Sequence, residues 1–126
     1  MAHMTNNDIK KILSKIGSKV KFKYPGEEGS RHGILKDRVP IPIKKAVLTD
    51  VAYCDVVDLI EFKGKKQKMI RIGYYRKKRE LKWGSQTTIT ETISGWKNLL
   101  VKTAREREWF RKLLKDVIKK RSQWDK

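Results

Sequence analysis

The sequence predicts an α+β fold: a curved antiparallel sheet or small open (SH3-like) barrel of four to six strands, with a short N-terminal helix and a C-terminal helical segment. Three observations predict it. Apolar residues recur at helical spacing at the start of the chain, short β-rich stretches divided by turn residues fill its middle, and helical periodicity returns after Thr88. With 126 residues and a 38% hydrophobic fraction, the chain suits one domain with a modest core. Met1-Ala2-His3-Met4 reads as a cloning remnant, so residues 5–126 are taken as a single basic domain.

Residues 5–16 are expected to be a helix. Ile9, Ile12, Leu13 and Ile16 share one face, Thr5 and Asp8 form a capping pair, and Gly17 ends the run. Lys10, Lys11 and Lys15 occupy the outer face. Residues 20–24 alternate apolar and basic side chains, the mark of a half-buried strand, and Pro25-Gly26 stops it. A second strand is expected over 33–39, with Pro40 and Pro42 breaking it into an edge or a loop.

Residues 47–62 are rich in Val, Ile, Leu, Tyr and Phe. Lys63-Gly64-Lys65-Lys66 forms a turn and residues 69–75 the returning strand of a hairpin. Gly73, inside that strand, marks either a bulge or a close backbone approach. Asp58 shares a face with Val56 and Ile60, which implies either an inward carboxylate paired with an arginine or a bulge. Residues 81–83 add a further strand. Alternation places Arg71 and Tyr75 on one face, and Ile70, Ile72 and Tyr74 on the other, so Tyr75 is the outward ring and Tyr74 the core ring.

Thr88-Ile89-Thr90-Glu91 has the form of a capping box. Apolar stripes through Ile93, Trp96, Leu100 and Ala104, then Phe110, Leu113, Leu114, Val117 and Ile118, are separated by Arg105-Glu106-Arg107-Glu108. That leaves two helices, or one with a solvated middle. The apolar stripe of the C-terminal helix is a candidate homodimer contact.

Charge carries the functional reading. There are 32 Lys and Arg against 14 Asp and Glu, a net charge of +18. On so small a body this much like charge is self-repelling, and an anionic partner would offset it. Residues 63–82 hold Lys63, Lys65, Lys66, Lys68, Arg71, Arg76, Lys77, Lys78, Arg79 and Lys82 against Glu80 alone, half of the net charge. Tyr75 and Trp83 are interleaved with them, offering flat faces on which bases stack. These twelve residues are the expected nucleic-acid-binding set. Lysine and arginine there exchange with the counterions of a phosphate backbone, and Arg71, Arg76 or Arg79 would supply contacts to guanine. DNA is placed ahead of RNA as the partner.

No apolar run suits a signal peptide or a membrane span, and the lone Cys54 has no disulfide partner, which places the protein in a reducing cytoplasm away from membranes. One Cys and one native His, His32, argue against a four-ligand zinc site, and neither a serine triad nor a phosphate loop is present. No cofactor is expected and the protein reads as non-enzymatic.

Two other readings stand beside this one. Asp50, Glu61 and Lys63, with Glu-Phe-Lys ending an apolar strand, resemble the Asp…(Asp/Glu)-x-Lys arrangement of the PD-(D/E)xK nuclease superfamily. The resemblance implies a Mg²⁺-dependent nuclease in which Asp50 and Glu61 hold the ion and Lys63 assists the attacking water. It covers fewer than fifteen residues. The pattern lacks the proline before Asp50 and the alternation of strand and helix of that fold. The second reading is an interaction scaffold for a partner protein with an acidic surface.

Overall fold

The computed structural model of the chain describes residues 3–22, 31–43, 51–62, 68–84 and 91–125. The chain forms two compact units, Met1–Ile89 and Thr90–Lys126. The class is α+β, as the sequence predicts.

In the first unit, helix α1 (Asn6–Leu13) is followed by strands β1 (Lys19–Phe22), β2 (Arg31–Pro42), β3 (Ala52–Phe62), β4 (Lys68–Lys77) and β5 (Leu81–Trp83). The strands form one curled antiparallel sheet in chain order, each pairing with the next. The capping pair is present: the Asp8 backbone N–H donates to Thr5 Oγ1 at 3.1 Å, and the Thr5 backbone N–H donates to Asp8 Oδ2 at 2.9 Å. Gly17 leaves the helix with φ of +92°, a backbone conformation that favours glycine, and its N–H donates to the Leu35 carbonyl.

β2 continues through both prolines, where the sequence predicted a break. The reason is its pairing. β1 pairs with β2 over residues 31–34, so among the described residues Pro40 and Pro42 lie where β2 faces β3 alone and a missing N–H on the other side breaks no ladder bond. The β2–β3 register also slips between Leu35 and Asp37, which leaves Lys36 as an extra residue. An unbroken register would turn Leu35 and Arg38 to opposite faces. The bulge puts both on the face of Ile60 and Asp58.

That face is the inner one, covered by α1. Ile12, Cys54, Val56 and Tyr75 form its apolar centre, with Met4, Ile9, Leu81 and Trp83 packed around them. No bulge occurs at Gly73, because the register runs through it as Val56↔Gly73. It is instead the close approach: a Cβ there would meet the Trp83 ring at 2.2 Å.

The second unit holds α2 (Ile93–Glu106), α3 (Glu108–Lys119) and a short 3₁₀ turn at Arg121–Gln123. The sequence-predicted box at Thr88 falls on residues outside the described set except for Glu91. The observed cap is Thr92, whose side chain accepts from the Gly95 N–H at 2.9 Å. Arg107, in extended conformation, separates the two helices. Arg111 Nε donates to the Ala104 carbonyl, one of the acceptors that the break releases. Leu113, Val117 and Ile118 on α3 are exposed. Among the described residues no helix is long and apolar enough to cross a membrane.

Candidate nucleic-acid interface

Strand β4 carries the described part of the basic ribbon, and its pleat sorts the charges. Register pairs Asp58 with Arg71, Cys54 with Tyr75 and Val56 with Gly73, so Arg71, Tyr75 and Lys77 face inward. The orientation of the two tyrosines is therefore the reverse of the sequence-based expectation. Tyr75 is only 8% exposed and lies in the core, while Tyr74 is half-buried on the outer face. Both faces of the sheet bury residues, Val57 on one as fully as Val56 on the other, so alternation defined two faces without saying which of the two tyrosines is buried. Asp58 decides it, since a carboxylate with no exposure requires its arginines beside it.

The inner face holds an ionic cluster in place of a plain apolar core. Arg38 donates to Asp58 from Nε at 2.7 Å and from Nη2 at 3.0 Å, a bidentate pair between side chains 2% and 0% exposed. Its Nη1 donates to the Ile12 carbonyl and to the Tyr75 hydroxyl. Burial alone disfavours charge on the Arg38 guanidinium, but the Asp58 carboxylate outweighs it and raises the pKa above its ordinary value. Arg71 adds two hydrogen bonds to Asp58 Oδ2, at 3.1 and 2.8 Å, and lies 4.8 Å from the Trp83 ring centroid. Trp83 packs on Tyr75 with centroids 5.0 Å apart. Tyr75 is thus buried, with Arg71 and Trp83 half-buried against it, although each was assigned to the binding set from sequence.

Lys77 is engaged as well, its Nζ donating to Asp8 Oδ2 at 2.7 Å. Burial would raise the Asp8 pKa. The Lys77 ammonium, with the Thr5 N–H and hydroxyl, overrides it and holds the carboxyl at about 2.

Arg76, Lys78, Arg79 and Lys82 are different. All four are exposed, and among the described residues no carboxylate forms an ion pair with them. They converge on the three-residue turn between β4 and β5, which stands between two cavities. One, of about 450 Å³, is lined by Arg76, Lys78, Arg79 and Lys82 together with Val51, Tyr53 and Glu80. The other, of about 520 Å³, adds Lys11 and Lys15 of α1 to Lys77 and Arg79, with Asp8 and Glu80. Arg79 and Glu80 line both. Lys68 is exposed but begins β4, nine residues from Lys77, and so lies about 30 Å away at about 3.4 Å per residue. Among the described residues the charges of the ribbon are therefore not one patch. Lys63, Lys65 and Lys66 lie outside the described residues.

Sequence reasoning missed Tyr53, Lys11 and Lys15. Tyr53 stands opposite Arg76, which in turn pairs with Lys82, and only the hairpin register reveals that row. For the nuclease resemblance, Glu61 is half-buried near the Phe62 end of β3, and Asp50 and Lys63 lie outside the described residues. Among the described residues no group of three or more metal-ligating side chains is present. In comparisons with family models, curated proteins and solved structures, nothing matches this chain.

Proposed function

We propose that this chain is a non-enzymatic nucleic-acid-binding protein, with DNA ahead of RNA, that holds backbone phosphates at the turn between β4 and β5. The observation that carries the reading is the contrast within the ribbon. Arg71 and Lys77 are tied to carboxylates, whereas Arg76, Lys78, Arg79 and Lys82 are exposed around one cavity with no ion-pair partner among the described residues. Four cations with a single carboxylate among them form a site for a polyanion, because each can replace a condensed counterion on a phosphate chain. The net charge of +18 supports the same reading, since a polyphosphate relieves its self-repulsion. The buried Cys54 accords with a reducing cytoplasm, where we place the protein.

The test is binding of a labelled oligonucleotide across a salt series. A four-phosphate contact is expected to give a log–log slope of about −3 to −4. Replacing Arg76, Lys78, Arg79 and Lys82 together with glutamine should flatten that slope to near zero. Lys68→Gln, at the far end of β4, should leave it within one unit. Equal effects of the two variants would move the site away from this turn, and salt-insensitive binding would overturn the reading.

A further inference from the structure

The cavity beside the turn contains more than charge. Tyr53, Arg76 and Lys82 form a cross-strand row over β3, β4 and β5, so the three side chains leave the same face of the sheet. Neighbouring strands are about 4.8 Å apart, which sets an aromatic ring and two cations side by side within about 10 Å. Tyr53 is 38% exposed although its strand is paired on both sides. Its orientation is supported by Tyr74, whose ring lies 6.1 Å away at 57°.

We propose that this cavity takes one unpaired nucleotide of a single strand, the base stacked on Tyr53 and its phosphates on Arg76 and Lys82. The inference rests on the nucleic-acid reading above and names the form of nucleic acid recognised. A duplex keeps its base faces inside the stack and presents only edges and phosphates, so an exposed ring beside cations has a counterpart only where bases are unstacked. The volume, about 450 Å³, is that of a small-ligand site and suits one nucleotide better than the width of a double helix. Neither Tyr53 nor Tyr74 belongs to the core that α1 covers; on their own face Val39, Ile41 and Val57 are buried, while Tyr53 at the end of that row keeps its exposure.

The experiment compares the full chain binding to 12-mers of dT and rU and to a 12-base-pair duplex, in wild type, Tyr53→Ala, Tyr53→Phe and the Arg76→Gln/Lys82→Gln double variant. Single strands are expected to bind at least tenfold tighter than the duplex. Tyr53→Ala should weaken single-strand binding by about 5- to 150-fold, the range of one lost base stack, with the salt slope unchanged. Tyr53→Phe should retain the affinity, which also controls for any loss of folding in the alanine variant. The double variant should instead reduce the slope by about 1.4, two phosphates on a single strand. The two 12-mers separate deoxyribose from ribose strands, and tighter binding of either supports the cavity. If the duplex binds as tightly as the single strands and Tyr53→Ala changes nothing, the nucleotide site is overturned while phosphate binding stands. If no nucleic acid binds with salt dependence, the functional reading itself fails.

Discussion

Removing Asp58 from water without a cationic partner would be prohibitive, and Arg38 and Arg71 between them donate four hydrogen bonds to its two oxygens. Their roles are unequal. Arg38 is fully enclosed, whereas the Arg71 side chain retains 24% of its exposure and its contact with Trp83. Arg38→Ala is expected to lower the unfolding free energy by about 3–5 kcal/mol in urea denaturation, and Arg71→Ala by clearly less, because Asp58 then keeps its bidentate partner. Equal losses would show that the two arginines share the carboxylate evenly. Asp8 gives a pH signature. Its carboxyl titrates near 2 in the folded chain against an ordinary 3.8, so the stability it adds is complete above about pH 4 and declines as the pH falls toward 2. Lys77→Met should remove most of that dependence, so the difference in stability between wild type and variant should shrink between pH 4 and pH 2. A difference that stays constant over that range would mean that Lys77 does not set the Asp8 titration.

At the level of elements, the bulge at Lys36 controls which way Arg38 points. Deleting Lys36 restores an unbroken ladder and turns Arg38 to the opposite face from Asp58, so the deletion should destabilise at least as much as Arg38→Ala. Lys36→Ala, at an exposed position, should change the urea midpoint by the equivalent of less than about 0.5 kcal/mol. Comparable effects of the two would remove the bulge from its role. The bulge also marks the limit of what the sequence discloses. Thr5 and Asp8 announced the helix start, the apolar content of 47–62 and 69–75 announced the hairpin, and the place of Asp58 on the face of Val56 and Ile60 left an inward carboxylate or a bulge, of which the structure shows the first. The arginine from β2 was not legible, because an inserted residue in a strand leaves no compositional trace. The proposed binding surface was half legible for a related reason. A run of lysines and arginines declares its charge, but strand pleat and a partner such as Asp8 decide which of them remain on the surface.

For the whole molecule, the net charge of +18 opposes folding and favours association with polyanions, and both effects weaken as salt screens them. Thermal unfolding without ligand is therefore expected to shift upward between about 20 and 200 mM NaCl, over the range where the proposed affinity for an oligonucleotide is expected to fall. A melting temperature that drops with salt would mean that favourable ion pairs outweigh the repulsion. The sheet's borders bear on the same balance. On one border β1 is four residues long and carries exposed Lys19 and Lys21, and the stretch of β2 beyond its pairing with β1 contains Pro40 and Pro42, which have no N–H to offer. On the other border β5 has only three residues, with exposed Lys82 in its middle. Brevity and proline deny an incoming strand the row of amide groups it needs to add itself to a sheet, whereas lysine opposes it by charge. The part that lies in the backbone, short strands and missing proline amides, does not depend on charge, and it persists in concentrated salt, where electrostatic repulsion between molecules no longer keeps them apart.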